Sequence, residues 1–272
     1  MFRFKNRTRN FDIRHQHGFT PIAIICFVFL YTPIFTMMAY AFNQGDSIAL
    51  WEGFSLRWFV SAWENEQVKE SALRSLVVAG FASSISTIAA TMAALSTTRT
   101  KKFRGQNIVY AIINQPLMVP EIVTGVALLI FFALIKSITG YTGLGYLVIA
   151  HTAFCIPFAY LPIRARLEGM NLILETAAAD LYATPWKTFR RVTFPLLFPG
   201  IIAGAMLAFV ISLDDVVITE LVKSAGQDTL PTYMLGQLRR AITPEINAIS
   251  TALLGITVLI LTLFYLLSRK SE

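Results

Sequence analysis

The chain has 272 residues, of which 55% are hydrophobic and only 14% are charged, and its mean hydropathy is +0.60. Because a soluble domain of this length carries far more charge, the composition predicts a membrane protein with several spans. The net charge of +7 would also suit nucleic-acid binding, but the basic residues lie beside apolar runs, as membrane topology signals do, so we expect no nucleic-acid partner.

Six apolar segments are long enough to cross a bilayer, which takes about 20 residues of helix. They cover residues 20–42, 72–96, 108–135, 145–163, 196–220 and 248–267. The sequence therefore predicts an all-α membrane protein with about six transmembrane helices. Its single transmembrane domain extends over residues 20–268, between a cytoplasmic N-terminal segment, 1–19, and a cytoplasmic tail, 269–272.

The first apolar segment is a candidate signal peptide, because it follows a basic N-terminus and contains Ala39 and Ala41 in an A-x-A pattern. However, its apolar run covers residues 21–41, whereas the apolar core of a signal peptide has roughly 7–15 residues. We therefore expect a retained membrane anchor.

The distribution of basic residues predicts the orientation of the chain. Most of the 23 basic residues fall at the N-terminus, in the loops after the second and fourth segments, and at the C-terminus. They are Arg3, Lys5, Arg7, Arg9, Arg14, Arg99, Lys101, Lys102, Arg104, Arg164, Arg166, Lys187, Arg190, Arg191, Arg269 and Lys270. By the positive-inside rule, both termini are expected in the cytoplasm.

Two loops on the opposite side are predicted to contain short helices. The first, residues 53–65, places Phe59 and Trp63 four residues apart, and the second, residues 230–248, places Met234, Leu235 and Leu238 on one helix face. These surfaces either receive an external partner or anchor the protein at the membrane interface.

A polar cytoplasmic loop at about residues 164–194, called the coupling loop below, is predicted to form two short helices. Leu174, Ala178 and Leu181 give the first an apolar stripe, and Thr184 followed by Pro185 is a typical helix start. An exposed apolar surface with basic flanks predicts a docking site for a cytosolic protein. The alternative is a hairpin packed on its own membrane helices.

The coupling loop resembles the "EAA" loop of binding-protein-dependent ABC importer permeases. Ala177 and Ala178 fall on the paired alanines of that pattern, Thr176 occupies the usual glutamate position, and Tyr182 replaces the usual glycine. A left-handed conformation at a tyrosine costs about 1–2 kcal/mol, so we expect a reshaped turn.

In that family the loop lies in a groove of the ATP-hydrolysing subunit and transmits its closure to the membrane helices. The resemblance implies coupling contacts at Glu175, Ala177, Ala178, Asp180, Leu181, Tyr182, Ala183 and Pro185.

Four separated motifs narrow the resemblance to the spermidine/putrescine permeases, specifically the second of their two membrane subunits. They read PLMVPEIVTG, HTAFCIPFAY, FVISLDDVVIT and TLPTYML. The resemblance implies a transporter subunit, not an enzyme, which imports polyamines across the bacterial inner membrane by ATP-driven alternating access. The implied partners are a second permease in a heterodimer, two ATPase subunits, an extracytoplasmic binding protein and membrane lipid. The chain has no phosphate-binding loop, so ATP and magnesium are expected on the ATPase, with no cofactor in this chain.

Three acidic residues within apolar segments, Glu121, Asp214 and Asp215, are the candidate substrate-pathway residues. Glu121 lies about halfway along the third segment, and the aspartates lie near the outer end of the fifth. Consecutive helical positions differ by about 100°, so the two aspartates are expected to point in different directions. We hypothesise that Glu121 and one aspartate line a polycation route, while a neighbouring helix holds the other aspartate. The alternative is that these acids only pair with helix ends or partner cations.

The remaining motifs support other functions less well. His151 and Cys155 share a helix face, but without further ligands we expect packing, as for Cys26, and no metal. The runner-up function is import of another small cation or an organic anion by the same scaffold. An ion-coupled secondary transporter is less well supported because no inverted repeat is visible.

Overall fold

The structure is a computed structural model that describes residues 19–47, 50–100, 104–240 and 243–269. Most of the expected N-terminal segment and C-terminal tail therefore lies outside the described residues, as do Lys101 and Lys102. The described residues form twelve α-helices and one π-helical segment. They are α1 (Phe19–Tyr40), α2 (Arg57–Glu64), α3 (Glu66–Thr98), α4 (Gln106–Met118), α5 (Glu121–Thr139), α6 (Gly145–Gly169), α7 (Ile173–Asp180), α8 (Pro185–Thr188), the π-helical segment (Phe189–Thr193), α9 (Phe194–Asp214), α10 (Val217–Val222), α11 (Leu230–Arg240) and α12 (Pro244–Arg269).

Six helical stretches of the described chain are long and apolar enough to span a membrane. They are Thr20–Tyr40, Glu66–Thr98, Glu121–Thr139, Gly145–Gly169, Pro185–Asp214 and Pro244–Leu263. No strand is present in the described ranges, where the only extended pairing is an isolated bridge between Asn43 and Phe54. The predicted all-α membrane fold with six spans is confirmed.

The core of the bundle is formed by α3, α6 and α9, which pack against one another along their lengths. Small residues allow this close approach, as is usual between membrane helices. At Gly204 of α9, an added Cβ would lie 2.7 Å from the Ala159 carbonyl oxygen of α6. Tyr160 and Leu147 of α6 are fully buried in this core. By contrast, α1 packs mainly against α12 and leaves most of its surface outside the bundle.

The third predicted segment is not one continuous helix, so this prediction was wrong. The helix ends at Met118, and Val119 and Pro120 are extended, with φ/ψ of −99°/137° and −53°/133°. Proline has no N–H to donate and disfavours helical geometry in the residue before it, which explains the break. Glu121 consequently lies at the first position of α5 and not in the middle of a span.

The fifth predicted segment was also drawn too long. α9 ends at Asp214, Asp215 is extended with φ/ψ of −64°/134°, and α10 begins at Val217. At its other end, the spanning stretch extends back through the π-helical segment to Pro185. Pro195 cannot donate a hydrogen bond to the preceding turn, which favours the wider π geometry there.

The short helices predicted outside the membrane are confirmed as α2 and α11, which lie at the same end of the bundle. The Asn65 amide between α2 and α3 donates to the Tyr233 hydroxyl of α11 (3.2 Å) and to Glu245 Oε1 of α12 (3.1 Å). Below, this is called the far end of the bundle, and the end that carries α7 and α8 is called the loop end.

Candidate functional site

The two helix breaks bring all three candidate acidic residues to one cleft. This cleft lies between the start of α5 and the α9–α10 break and has a volume of about 320 Å³. It is lined by Glu121, Val210, Ile211, Asp214, Asp215, Val216 and Val217. Residues almost 100 positions apart in the sequence therefore share one small site, which we call the acidic cleft.

Glu121 and Asp215 both line the acidic cleft, one from the start of α5 and one from the α9–α10 break, and are close enough for their charges to interact. Two carboxylates this close repel each other, and a shared proton or a cation between them relieves that repulsion. The cleft lining includes no lysine or arginine among the described residues. The arrangement is therefore suited to a mobile cation.

Asp215 is 6% exposed and is held by the first turn of α10. Its Oδ2 accepts hydrogen bonds from the Thr219 N–H (2.9 Å) and the Thr219 hydroxyl (2.8 Å), and its Oδ1 accepts one from the Ile218 N–H (3.4 Å). Asp215 thus satisfies backbone donors that the break would otherwise leave unpaired. Asp214, in contrast, is exposed at the end of α9 and has no comparable cap.

His151 of α6 completes the hydrogen bonds around Asp215. The imidazole is 1% exposed. Its Nδ1 lies 2.7 Å from Ser212 Oγ of α9, and its Nε2 lies 2.9 Å from Thr219 Oγ1 and 3.4 Å from Asp215 Oδ2. Sequence reasoning missed this connection, although a histidine near the outer end of the fourth segment, level with the aspartates of the fifth, was the available signal.

Cys155 lies one turn further along α6 and has a packing role. Its thiol is buried and lies 3.4 Å from the Ala208 carbonyl oxygen, while Cys26 is exposed on α1. Within the described part of the chain, no three His, Cys, Asp or Glu side chains are grouped to hold a metal ion.

The coupling loop contains the two predicted helices, α7 and α8. The Thr184 hydroxyl accepts a hydrogen bond from the Lys187 N–H (3.4 Å), and Pro185 occupies the first helical position. This confirms the predicted helix start. The Trp186 and Phe189 rings then stack with 5.7 Å between their centroids, where α8 joins the π-helical segment.

The turn at Tyr182 is not reshaped, so that expectation was wrong. The φ of Tyr182 is +56°, which makes it the one non-glycine residue with positive φ among those described. The turn has the left-handed conformation that a glycine usually adopts at this position. It is closed by two hydrogen bonds, from the Tyr182 N–H to the Ala179 carbonyl (2.9 Å) and from the Ala183 N–H to the Ala178 carbonyl (3.0 Å). The left-handed backbone carries a steric cost at the tyrosine Cβ, while the side chain itself is 96% exposed.

The residues implied in coupling divide between two faces of the loop. Ala177, Asp180, Leu181, Tyr182 and Pro185 are exposed, whereas Ala178 and Ala183 are half-buried. Glu175 faces the bundle, where its Oε1 accepts hydrogen bonds from Arg99 Nε at the end of α3 (3.1 Å) and from the Thr193 hydroxyl (3.0 Å). One face of the loop thus packs on the protein's own helices, and the opposite face is exposed.

A second charged cluster lies at the far end. Lys223 Nζ is 2.5 Å from Glu220 Oε2 and 2.6 Å from Asp228 Oδ1. Burial lowers the pKa of Lys223, but the hydrogen bonds and negative charges of Asp228 and Glu220 outweigh it, so the pKa is raised above 10.5. Lys223 therefore remains charged at neutral pH, and its two ion pairs tie α10 to the following loop.

Comparison with protein families gives one matching model. Residues 85–271 match the family described as binding-protein-dependent transport system inner membrane component. The chain is 34% identical over 255 residues to the putrescine transport system permease protein PotI of Escherichia coli, covering 92% of this chain and 91% of the relative. It is 31% identical over 248 residues to the spermidine/putrescine transport system permease protein PotC of Haemophilus influenzae, covering 91% and 95%.

Solved structures share the fold at lower sequence identity. A chain of a bacterial ABC transporter involved in the import of the acidic polysaccharide alginate superposes with a TM-score of 0.71 at 18% identity, covering 93% of both chains. A chain of the MetNI methionine ABC transporter, in an inward-facing conformation, superposes with a TM-score of 0.64 at 17% identity, covering 74% of this chain and 94% of that one.

Proposed function

Because the chain belongs to the family of binding-protein-dependent transport system inner membrane components, we propose that it is the permease subunit of an ABC importer for polyamines such as putrescine and spermidine. As a multi-pass membrane member of this family, the chain is a transporter subunit and not an enzyme. The names of its relatives, a putrescine permease and a spermidine/putrescine permease, support the substrate class.

The acidic cleft is the observation that carries the proposal. A polyamine alternates ammonium groups with flexible methylenes, so it needs carboxylates separated by apolar surface. Glu121 and Asp215 supply two carboxylates, and Asp214 supplies a third at the exposed rim. The remaining lining residues are valine and isoleucine, which suit the methylenes.

Coupling to ATP hydrolysis takes place through the two faces of the coupling loop. Leu181 and Tyr182, with exposed fractions of 82% and 96%, dock into an ATPase subunit, while Glu175 transmits the movement to α3. ATP and magnesium bind that partner, and this chain holds no cofactor. A full importer would contain two ATPase subunits, a second permease in a heterodimer and an extracytoplasmic binding protein.

The docking role also sets the orientation in the bacterial inner membrane. The loop end faces the cytoplasm, so the far end, with α2 and α11, faces the binding protein. Both termini are then cytoplasmic, in agreement with the positive-inside bias. Closure of the ATPase pair would open the acidic cleft toward the binding protein, and hydrolysis would reset it toward the cytoplasm.

Reconstitution of the complete complex in liposomes tests the proposal. Saturable uptake of labelled putrescine or spermidine should require ATP and the binding protein. Glu121→Gln and Asp215→Asn should each reduce uptake by about tenfold or more, because each removes a charge-assisted bond to an ammonium group. Glu66→Gln is a matched control, since the Glu66 carboxylate is exposed beside Lys69 outside the cleft. Unchanged kinetics in both cleft variants would exclude the pathway, and uptake driven by a proton gradient without ATP would exclude the ABC importer.

A further inference from the structure

His151 occupies a junction that the proposed transport cycle has not yet used. It lies on α6, contacts Ser212 of α9 through Nδ1, and contacts Thr219 of α10 through Nε2. α6 leads directly into the coupling loop, and α9 leads directly out of it. One buried side chain therefore joins the two helices that flank the coupling loop to the short helix that holds Asp215.

The hydrogen bonds around His151 have a definite direction. Thr219 Oγ1 has one proton, which it donates to Asp215 Oδ2 at 2.8 Å. The same oxygen can therefore only accept from His151, so Nε2 carries the ring proton of a neutral imidazole. Nδ1 is then an acceptor for the Ser212 hydroxyl. The relay Ser212–His151–Thr219–Asp215 satisfies each of these polar groups with a neutral ring.

We propose that His151 is the positioning residue of the acidic cleft, which orients the Asp215 carboxylate toward the transported ammonium group in response to the relative position of α6 and α9. This inference rests on the proposed function, and it identifies how the cation affinity of the acidic cleft changes during the transport cycle. Asp215 lies in a two-residue break, and its carboxylate is held by the Ile218 and Thr219 N–H groups and by one side-chain donor, the Thr219 hydroxyl. His151 contacts that hydroxyl and so influences the orientation of the carboxylate.

The position of His151 between α6 and α9 explains why the orientation of the Asp215 carboxylate depends on the relative position of these two helices. Movement of the coupling loop displaces the loop ends of α6 and α9, and Ser212 and His151 lie toward their opposite ends. A shift between these helices changes the 2.7 Å contact from Ser212 to the imidazole. Each hydroxyl and the neutral imidazole of the relay has only one proton to donate. A change in the contact between Ser212 and His151 therefore alters the hydrogen bond from Thr219 to Asp215. The affinity of the cleft for a cation then differs between the two states of the cycle.

Two amide substitutions separate this role from simple packing. In His151→Gln, the amide nitrogen reaches the place of Nε2 and can donate to Thr219. In His151→Asn, the shorter side chain reaches the place of Nδ1 and contacts Ser212 only. Tyr160→Phe is a matched control, because it removes another buried hydrogen bond of α6, from the Tyr160 hydroxyl to Thr97 Oγ1 (2.9 Å), outside the relay.

The measurement is the amount of labelled putrescine imported per ATP hydrolysed by the reconstituted complex, with saturating loaded binding protein. This ratio does not change when a fraction of the complex is misfolded, because uptake and hydrolysis then fall together. His151→Asn should lower the ratio about tenfold, and His151→Gln should keep it within about threefold of the wild type. Tyr160→Phe should leave the ratio unchanged.

Equal ratios in His151→Asn and the wild type would overturn the inference, as would an equal fall in the asparagine and glutamine variants. If His151→Asn does not assemble, Thr219→Val, which keeps the side-chain shape but removes the hydroxyl, should show the tenfold fall, and a wild-type ratio there would also overturn the inference. A wild-type complex without ATP-dependent uptake refutes the proposed function itself, whereas wild-type transport with unchanged variant ratios refutes only the role of His151.

Discussion

Glu175 is expected to act as a tether of the coupling loop and not as a docking residue. Its Oε1 accepts one hydrogen bond from Arg99 at the end of α3 and another from Thr193 in the π-helical segment. Arg99 also donates from Nη2 to the Leu167 carbonyl of α6, at 3.0 Å. Glu175→Ala would therefore remove the hydrogen bonds that join α7 to two elements at once, α3 and the π-helical segment, without changing the exposed face of the loop.

The magnitude follows from the burial of this group. The side chains of Arg99 and Glu175 are 17% and 21% exposed, so water can replace the lost bonds only in part. A hydrogen bond to a charged group contributes about 1.5–3 kcal/mol and one from a hydroxyl about 1 kcal/mol. Allowing for partial rehydration, Glu175→Ala should destabilise the loop by about 2 kcal/mol. Glu175→Gln, which keeps an acceptor oxygen, should cost about half of that.

Two assays on the reconstituted complex separate tethering from docking. Co-purification reports whether the ATPase subunit still binds, and the ratio of uptake to hydrolysis reports whether its movement reaches the membrane helices. Glu175→Ala should retain the ATPase but lower the ratio, with Glu175→Gln in between. Tyr182→Ala should lose the ATPase, because it removes an exposed ring from the docking face. Arg99→Ala combined with Glu175→Ala should cost little more than either alone, since both remove the same tether.

One result would refute this reasoning directly. If Glu175→Ala lost the ATPase as completely as Tyr182→Ala, Glu175 would belong to the docking surface, and the contacts with Arg99 and Thr193 would not survive in the assembled transporter. Additive effects of the Arg99 and Glu175 variants would lead to the same conclusion.

Three further predictions concern packing, backbone strain and charge, each measured by thermal unfolding in detergent. Gly204→Ala places a Cβ 2.7 Å from the Ala159 carbonyl oxygen and should destabilise the protein by about 1–3 kcal/mol, whereas Gly255→Ala meets no atom within 4 Å and should not lower the midpoint. Tyr182→Asn should relieve part of the left-handed strain, about 1–2 kcal/mol, and raise the midpoint while weakening ATPase co-purification. The stability that Lys223 contributes should be fully present below pH 10.5 and lost as the pH rises through its raised folded-state pKa, and Lys223→Met should remove this alkaline step.

Each of these predictions has a contrary outcome. Equal midpoints for Gly204→Ala and Gly255→Ala would mean that α6 and α9 do not pack at this distance. A lower midpoint for Tyr182→Asn would show that the ring stabilises the loop despite its exposure. An alkaline step that persists in Lys223→Met would assign it to another group.

The sequence predicts those structural elements that depend only on residues close together in the chain. The Thr184–Pro185 helix start depends on two adjacent residues, and the six spans depend on apolar runs, so both were predictable. The breaks at Pro120 and Asp215 were not predicted as breaks, because hydropathy averages over a window and continues across them. Proline inside an apolar run bends or breaks a helix depending on what surrounds it. At Asp215 the decisive partners, Thr219 and His151, come from α10 and α6.

The roles proposed for Glu175 and His151 depend on contacts that the sequence alone does not fix. Glu175 belongs to a pattern associated with coupling, but the partners that distinguish a tether from a docking residue are Arg99, 76 positions away, and Thr193. For His151, an apolar helix predicts a satisfied core histidine, which the structure bears out. The sequence could not predict that the Thr219 hydroxyl, which contacts the imidazole, also holds Asp215, 64 positions further along the chain.

The two helix breaks also explain how the acidic cleft can keep its charge without a bound cation. A carboxylate paired with a fixed lysine or arginine would be stable without substrate, but its charge would no longer attract a mobile cation. Asp215 is instead stabilised by neutral donors, namely the backbone N–H groups of Ile218 and Thr219 and the Thr219 hydroxyl. Glu121 lies in the first turn of α5, where the helix dipole favours a negative charge. Such partial charges reduce the cost of burying the acids without neutralising them, so the charge remains available to a mobile cation. An unbroken helix in either position would offer no free amides, and the same acids would then require a permanent counter-ion.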